Sequence, residues 1–425
     1  MATRTVPASV GQRLLWQMDH YRGANGALNC PVLLRLRGAL RTDALRAALV
    51  ALACRHEALR TTFTGRGPRL AQVIHERPRG PELVETDLSG EREPEAAAGR
   101  AIEAEVRRRV DPERWPVRAA LWRLGEREHV LCVNLHHLVT DGWSCGLVAS
   151  DLARLYGQIA AGGPALPDVG WQYARWVEWQ RELLQGEGLR RLREYWRRQL
   201  ADAELPDLPR ASARVAAGER RTVVERAAIP GPAVRALETR ARAASTALFT
   251  ELLAAYYVLL RRTTGQSDLA VASIFANRAR PELRHTVGFL SNMVLLRGRL
   301  GRDQAPFDDV VRDVSEVVIG AFAHQDLPYQ LLPLDTIRAG AARPESVVFQ
   351  LFAGPLQRAV AAGVEWEPII TVPDGIGSRW DFELSLAPAG DDLAVLLCYA
   401  SDLYAPEWAR RFLDDYVALV QEVAT

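Results

Sequence analysis

The most constraining feature of this chain is a polar segment that joins an apolar strand to a helix, His136-His137-Leu138-Val139-Thr140-Asp141-Gly142-Trp143-Ser144. Residues 129–135 before it are mostly apolar, as in a buried strand, and apolar positions over 147–160 recur at the helical period. This order predicts an α/β fold with imidazole and carboxylate groups at a strand-to-helix junction. Because successive strand side chains point to opposite faces, we expect His137 to face a cleft and His136 to pack behind it.

The rest of the chain alternates helical and strand patterns. Periodicity predicts helices over residues 41–56, 95–110, 170–185, 189–200, 232–262, 307–323 and 406–423, and strands over 32–36, 268–273, 347–352 and 393–399. A polar passage over 201–221, which contains Leu205-Pro206-Asp207-Leu208-Pro209, is typical of a crossing between lobes. The chain is therefore expected to divide into an N-terminal lobe, 1–200, and a C-terminal lobe, 201–425.

Composition excludes several classes of function. All 53 residues counted as Lys+Arg are arginine, against 52 Asp+Glu, which gives a net charge of +1. The lack of lysine excludes Schiff-base lysine catalysis and the Walker phosphate loop, and the balanced charge argues against nucleic-acid binding. The five cysteines form no C-x-x-C pair, and we find neither a signal peptide nor a long apolar run. We therefore expect a reduced, cytoplasmic protein without a membrane anchor.

The polar segment has four interpretations. Two histidines and Asp141 are metal-ligand types, but adjacent histidines facing opposite ways, with no third cluster nearby, argue against a metal. Gly142-Trp143-Ser144-Cys145-Gly146 matches the G-x-S-x-G elbow of serine hydrolases, although Ser144 lies beyond a polar loop. Alternatively, both histidines are core groups and Asp141 is a helix cap. The compact cluster beside a glycine favours the fourth interpretation, acyl transfer with histidine as base.

The segment resembles the HHxxxDGWS signature of nonribosomal peptide synthetase condensation domains. Five further blocks extend the resemblance over nearly the whole chain in the family's order: SVGQRLLW from Ser9, RHEALRTTF from Arg55, an inter-lobe segment with Tyr173 and Tyr195-Trp196, Asn277-Arg278 with VGFLSN from Val287, and HQDLPY from His324. In the first block, Gly11 stands where the family usually has alanine. The Gly-Trp-Ser continuation argues against an epimerization domain. The intact histidines argue against the heterocyclization and oxygenase-recruiting types.

The resemblance implies a chloramphenicol acetyltransferase-like fold, in which two α/β lobes form a V-shaped pseudo-dimer with His137 at their junction. It assigns catalysis to His137 and Gly142, and it implies that Asp141 pairs with Arg278 and so ties the motif to the second lobe. The other residues expected at the site are His136 and Arg60 as structural groups, and Trp143, Ser144, Ser291, Asn292 and Gln350 as substrate contacts.

The resemblance also implies the reaction. A donor acyl or aminoacyl group arrives as a thioester on the phosphopantetheine arm of a peptidyl or acyl carrier protein. An amine or hydroxyl acceptor, free or carrier-bound, attacks it to form an amide or ester. We expect a monomer without a permanently bound cofactor, either a free-standing enzyme or an excised module domain. Two alternatives stay open: an acyl-CoA-dependent acyltransferase of the same fold, and a non-catalytic recruitment domain.

Overall fold

A computed structural model describes residues 2–21, 26–76, 80–210, 221–301, 305–338, 343–352, 354, 357–369 and 380–425. The α-helices in these residues are α1 (Val10–Tyr21), α2 (Thr42–Arg55), α3 (Pro94–Arg107), α4 (Gly142–Ala161), α5 (Tyr173–Leu183), α6 (Gly186–Leu200), α7 (Gly231–Ala243), α8 (Leu248–Thr264), α9 (Phe307–Ala323) and α10 (Pro406–Val423). The strands are β1 (Thr3–Pro7), β2 (Asn29–Arg37), β3 (Thr61–Thr64), β4 (Ala71–His75), β5 (Leu83–Asp87), β6 (Val117–Gly125), β7 (Glu128–His136), β8 (Thr222–Ile229), β9 (Asp268–Phe275), β10 (Asn292–Arg299), β11 (Val347–Leu351), β12 (Ala359–Ala361), β13 (Val364–Pro368), β14 (Phe382–Ala389) and β15 (Asp392–Ala400).

The first compact unit comprises Met1–Leu184, Ala276–Ser291 and Gly354–Thr371. Its main sheet has the strand order β12-β13-β2-β7-β6-β5, and a smaller sheet has the order β1-β4-β3. Helices α2 and α4 contribute buried apolar side chains to one core cluster, while α3 contributes to a second cluster that shares strands of the same sheet. The main sheet therefore lies between two helical layers.

Strand β7 is buried on both faces. Leu131, Val133 and Leu135 belong to the core cluster with α2 and α4, whereas Val130 and Cys132 belong to the cluster with α3. A strand that is covered on both faces gives a continuous apolar run instead of an alternating pattern, which explains the sequence of residues 130–135. β7 pairs antiparallel with β2 on one side and β6 on the other, so its carboxyl end lies at the centre of the sheet.

The second unit comprises Gln185–Phe275, Asn292–Ala353 and Val372–Thr425. Its sheet has the order β10-β9-β11-β14-β15-β8, and β11 runs parallel to both of its neighbours. Helices α8 and α10 pack on it through aromatic side chains: the rings of Tyr256 and Phe349 are stacked at 5.1 Å, and the hydroxyl of Tyr416 donates to the Leu252 carbonyl at 3.1 Å. Each unit is thus a mixed α/β structure with its own core.

These units differ from the expected division at residue 200. The first boundary falls after Leu184, and two later segments, Ala276–Ser291 and Gly354–Thr371, belong to the first unit. In the second of these segments, β13 pairs antiparallel with β2 and extends the N-terminal sheet. A composition shift marks only where a linker lies, so it does not reveal segments that return to an earlier sheet. Residues 211–220 of the expected crossing lie outside the described residues.

The helices expected over 307–323 and 406–423 are confirmed as α9 and α10. The expectation of one helix over 232–262 is wrong, because α7 and α8 meet at a bend of 107°. Ser245 has a φ of 54° and the Thr246 N–H donates to the Ala241 carbonyl at 2.8 Å, which closes α7. The apolar periodicity continues through this break and hides it. In the described chain no single helix is long and apolar enough to cross a membrane, and only this bent pair passes a test of length and composition.

Candidate active site

His137 begins the short 3-10 turn, His137–Val139, that follows β7. Its backbone N–H donates to the Leu28 carbonyl at 2.8 Å, and its Nδ1 lies 2.8 Å from the Thr140 carbonyl oxygen. Because a carbonyl oxygen only accepts, Nδ1 of the neutral ring carries the proton and Nε2 keeps its lone pair. The side chain is partly exposed. His137 therefore presents a nitrogen that can orient or deprotonate a nucleophile.

His136 is the last residue of β7 and is only 1% exposed. Its Nδ1 accepts from the Leu138 N–H at 3.1 Å. Its Nε2 lies 3.7 Å from Oδ2 of Asp19, which in turn accepts from Arg109 at 2.6 Å. Burial lowers the pKa of His136, while Asp19 acts in the opposite direction. The structure thus places His136 in the interior and His137 at a partly exposed position, as strand alternation predicts.

Asp141 is the N-cap of α4 and its side chain is fully buried. Oδ1 accepts from the Ser144 N–H at 2.8 Å, and Oδ2 accepts from the N–H groups of Leu290 and Ser291 at 3.0 and 2.9 Å. Arg278 donates one nitrogen to each oxygen at 3.0 Å. Burial alone raises the pKa of Asp141, but Arg278 and the hydrogen bonds outweigh it and lower the pKa below 3.8. Both oxygens of the carboxylate therefore accept several hydrogen bonds from the protein, and the role of Asp141 is structural.

The pairing of Asp141 with Arg278 is present, but the expectation that it reaches the second lobe is wrong. Arg278 belongs to the segment Ala276–Ser291 of the first unit. Its guanidinium also donates to the carbonyls of Ala276 at 2.8 Å and Thr286 at 3.2 Å, and its side chain is 3% exposed. The ion pair therefore fixes a sequence-distant segment to the motif within one unit.

Ser144 is buried and its hydroxyl is held from several sides. Oγ accepts from Arg278 at 2.8 Å, and it lies 2.9 Å from the carbonyl oxygen and 3.1 Å from the nitrogen of Gly288. An elbow serine needs an exposed Oγ with a histidine base, whereas this hydroxyl is committed to backbone and guanidinium. This geometry does not fit the hydrolase interpretation, and the hydroxyl that was expected to contact substrate is bonded within the fold.

Asn292, which was expected to contact substrate, uses both ends of its amide in hydrogen bonds within the fold. Its Nδ2 donates to the carbonyls of Gln325 and Leu327 at 2.8 and 2.7 Å, and its Oδ1 accepts from the Tyr329 N–H at 3.0 Å. Both ends of the amide are therefore used within the second unit. The side chain braces the HQDLPY loop, a contact that no local pattern encodes.

Gln350 is buried in the second unit on β11. Its Nε2 donates to the Glu383 carboxylate and to Oγ of Ser385 at 3.0 Å, both on the neighbouring strand β14. Gln350 is therefore held in a cross-strand cluster, and its contact with substrate stays a prediction. Ser291 differs, because it is partly exposed and, within the described residues, its backbone N–H but not its hydroxyl has a hydrogen-bond partner, Asp141.

Gly142 and Trp143 form the accessible part of the motif after His137. Gly142 is the exposed first residue of α4, and Trp143 is partly exposed. The indole Nε1 of Trp143 donates to the Arg284 carbonyl at 3.2 Å, and the ring centroid lies 5.9 Å from Cζ of Arg278. These two residues keep surface that a substrate can contact.

Arg60 supports the first unit away from the motif. Its guanidinium donates to the carbonyls of Ala53 at 3.1 Å and His75 at 2.8 Å. Arg60 therefore ties the end of α2 to β4, which agrees with a structural assignment, but these partners lie outside the HHLVTDGWS segment.

The described residues hold no group of three or more His, Cys, Asp or Glu side chains that could bind a metal ion. Nδ1 of His136 is occupied by the Leu138 N–H, and the Asp141 carboxylate is saturated. Of the two histidines in this segment, His137 is the one at a partly exposed position.

The structure adds contacts that the sequence did not predict. The ring centroid of Phe289 lies 5.0 Å from that of His137 with an interplanar angle of 75°. The Phe289 carbonyl accepts from the hydroxyl of Tyr173 at 3.1 Å. Phe289 lies in the VGFLSN block, so the block was visible in the sequence. Its contact with a residue far away in the chain was not.

This chain is similar in sequence to known proteins. A profile of the Condensation domain family matches residues 2–425. The chain belongs to the condensation-domain family. Condensation domains of nonribosomal peptide synthetases are acyltransferases that form amide bonds. The predicted family and the mixed α/β fold class are thereby confirmed.

Two relatives of this chain are long synthetases, and the chain spans 10% of the length of one and 3% of the other. It is 34% identical over 409 residues to chondramide synthase cmdD of Chondromyces crocatus, covering 94% of this chain and 10% of that protein. It is 32% identical over 432 residues to cyclosporin synthetase simA of Tolypocladium inflatum, covering 98% of this chain and 3% of that protein.

Two solved structures match over nearly their full length. The SgcC5 protein of Streptomyces globisporus, in complex with (R)-(-)-1-(2-naphthyl)-1,2-ethanediol and sucrose, has a TM-score of 0.80 and 27% identity, covering 99% of this chain and 98% of SgcC5. The X-domain from teicoplanin biosynthesis has a TM-score of 0.80 and 27% identity, covering 100% of this chain and 96% of the X-domain. The X-domain has also been solved in complex with OxyB.

Proposed function

We propose that this chain joins a donor acyl or aminoacyl group, presented as a carrier-protein thioester, to an amine or hydroxyl acceptor. The observation that carries the proposal is the His137 ring, whose Nδ1 donates to the Thr140 carbonyl and whose Nε2 keeps its lone pair at a partly exposed position. Membership in the condensation-domain family supports the type of reaction.

In the proposed reaction, Nε2 of His137 accepts a hydrogen bond from the N–H or O–H of the acceptor. The acceptor's lone pair attacks the thioester carbonyl carbon, so a C–N or C–O bond forms and the C–S bond breaks. The acceptor's proton passes through His137 to the departing thiolate, which leaves as the phosphopantetheine thiol. A neutral amine needs mainly orientation by His137, whereas a hydroxyl needs it as a base. The diol in the SgcC5 structure supports testing hydroxyl acceptors as well as amines.

The donor is proposed to arrive on the phosphopantetheine arm of a carrier protein. Arginine is the only permanently cationic side chain of this chain, at 53 positions. Carrier proteins are usually acidic around the attachment site, so arginines at the docking surface would steer association, and salt would screen this attraction. Catalytic efficiency with a carrier-bound donor should therefore fall as ionic strength rises.

The test offers one acyl group in three forms, as holo-carrier thioester, as acyl-CoA and as a short pantetheine thioester, with amine and hydroxyl acceptors. Each is assayed across a salt series, with products identified by mass spectrometry. We expect the carrier-bound donor to be preferred and to be the most salt-sensitive. Equal efficiency for all three donors, without salt dependence for the carrier-bound one, would favour the acyl-CoA-dependent acyltransferase and overturn the carrier proposal.

A recruitment function is the second candidate, because the X-domain that this chain resembles has been solved in complex with OxyB. Against it stands the partly exposed His137 with a free Nε2, which a purely recruiting domain does not need. No product with any donor and acceptor, together with stable capture of a partner enzyme, would favour recruitment. Turnover that depends on His137 would exclude it.

A further inference from the structure

We propose that Phe289 is a positioning residue for the His137 ring, and that Gly11 is required because it leaves room for the Phe289 side chain. This inference rests on the proposed function, in which Nε2 of His137 must point at the acceptor. The ring of Phe289 meets that of His137 edge-on, at 5.0 Å between centroids and an interplanar angle of 75°. Edge-to-face aromatic pairs have a preferred geometry, so the contact restricts the tilt of the imidazole.

Gly11 lies in the first turn of α1, against the ring of Phe289. A Cβ at this position would lie 2.7 Å from Cε1 and 3.3 Å from Cδ1 of Phe289. Carbon atoms approach comfortably only to about 3.5–4.0 Å, so an alanine at position 11 does not fit beside the ring as it stands. Alanine is the residue that the resembling family usually has there. This chain therefore departs from the pattern at the residue that determines where the Phe289 ring can lie.

The backbone around Phe289 has little freedom to absorb such a clash. On one side, the packing at Gly288 is so close that a Cβ there would lie 2.1 Å from Cδ2 of Tyr173. The hydroxyl of Tyr173 donates to the Phe289 carbonyl at 3.1 Å. On the other side, the Leu290 N–H donates to Asp141 at 3.0 Å. Because the chain is held on both sides, a clash at position 11 must be relieved by rotating the Phe289 ring.

The same helix also holds the turn that carries His137. Gln12, fully buried, donates from Nε2 to the Leu138 carbonyl at 2.9 Å. Oγ of Ser9, just before the helix, lies 3.0 Å from the hydroxyl oxygen of Tyr173, within hydrogen-bond distance. The start of α1 thus fixes the backbone next to His137 and, through Tyr173, the backbone at Phe289. With both backbones held, the two ring orientations depend on the space at Gly11.

The experiment compares Gly11→Ala, Phe289→Leu and the double variant with a matched control, Gly99→Ala. Gly99 lies in α3 and is exposed, and a Cβ there meets no atom within 4 Å. Two quantities are measured: steady-state kcat and KM with a carrier-bound donor, and side-chain NMR of His137. The NMR spectra report the tautomer and the ring-current shifts of the carbon-bound protons, and they need no substrate.

We expect Gly11→Ala and Phe289→Leu to lower kcat by about 10- to 100-fold, with a smaller change in KM, because a displacement of about 1 Å at a reacting group costs about this much. Both should shift the His137 proton resonances. The double variant should be no worse than Gly11→Ala alone, since leucine lacks the Cε1 atom that the new methyl group meets. Gly99→Ala should leave kcat and the His137 spectrum unchanged.

Unchanged His137 resonances in both single variants would overturn the inference, whatever happens to turnover. A lower melting temperature of Gly11→Ala with an unaltered His137 spectrum would also overturn it, because the effect would then be on stability alone. Should Gly11→Ala fail to fold, Phe289→Leu decides through kcat and the His137 tautomer, because loss of the aromatic ring changes the ring-current shifts by itself. Lack of turnover by the unmodified chain with every donor contradicts the proposed function instead, and the spectra still decide the positioning of His137.

Discussion

The two ends of the HHLVTDGWS segment use their polar atoms in different ways. At the anchor, defined here as Asp141, Ser144 and Arg278, the side chains are almost fully buried and Asp141 accepts five hydrogen bonds. At the reactive end, His137 is partly exposed, and of its two ring nitrogens Nδ1 is the one with a hydrogen-bond partner among the described residues, the Thr140 carbonyl. The motif therefore separates a fixed support from a group with a free nitrogen. Changes at the anchor should act on stability, and changes at the reactive end should act on rate.

The largest effect on rate is expected for His137→Ala. Loss of a positioned acid–base group should lower kcat by roughly 10²–10⁴-fold, while the melting temperature stays near that of the unmodified chain. The matched control is His136→Ala, which removes a buried ring and should lower the melting temperature. A well-folded His137→Ala variant with nearly full turnover would contradict the assignment of the reactive end.

The largest effect on stability is expected when one partner of the buried ion pair is removed. Arg278→Ala or Asp141→Ala should cost about 3–5 kcal/mol in the free energy of unfolding, because each leaves an unpaired buried charge. The double variant should cost less than the sum of the two single losses, by a coupling of about 0.5–3 kcal/mol. Urea unfolding measures all three. Strict additivity of the two losses would show that the pair is not formed, and the exposed Arg107→Ala serves as a control with little effect.

A smaller effect is expected for Ser144→Ala. The hydroxyl bridges Arg278 and the Gly288 backbone, so its removal should cost about 1–3 kcal/mol of stability by leaving buried partners unsatisfied. Turnover of the folded fraction should be retained, because Oγ is buried and has no histidine base. Loss of all turnover in a fully folded Ser144→Ala variant would restore the hydrolase interpretation.

The smallest effect concerns pH. The pKa of Asp141 is below 3.8 in the folded state, since Arg278 and its hydrogen bonds outweigh the effect of burial. The unfolded state therefore binds more protons, so this contribution is complete above the unfolded pKa of 3.8 and is lost as pH falls towards the folded pKa. A single carboxyl changes stability by at most about 1.4 kcal/mol per pH unit. The free energy of unfolding, measured with urea below pH 4, should depend less on pH in Asp141→Asn than in the unmodified chain. Equal slopes in both proteins would contradict this contribution of Asp141.

Local sequence information was enough for several helices and for the burial of His136, whereas the pairing of Asp141 with Arg278 came from the family resemblance. Periodicity located α9 and α10, and the junction after β7 placed His136 inside and His137 outside, because both depend on neighbouring residues. The return of Ala276–Ser291 to the first unit could not be predicted, since it depends on topology. For the same reason, the contact of Phe289 with His137 and the backbone partners of Asn292 were missed. The hydrogen bonds that Ser144, Asn292 and Gln350 make within the fold could not be predicted either, because their partners are distant in the chain.

The central claim is a division of roles in which the reactive end sets the rate and the anchor sets the stability. Its most direct test is single-turnover product formation from a carrier-bound thioester. The unmodified chain, His137→Ala and Ser144→Ala are compared at a temperature at which all three are folded. We expect amide or ester product from the unmodified chain and from Ser144→Ala at similar rates, and a rate lower by about 10²–10⁴-fold for His137→Ala. Equal rates for His137→Ala and the unmodified chain, or a folded Ser144→Ala variant without product, would contradict the division.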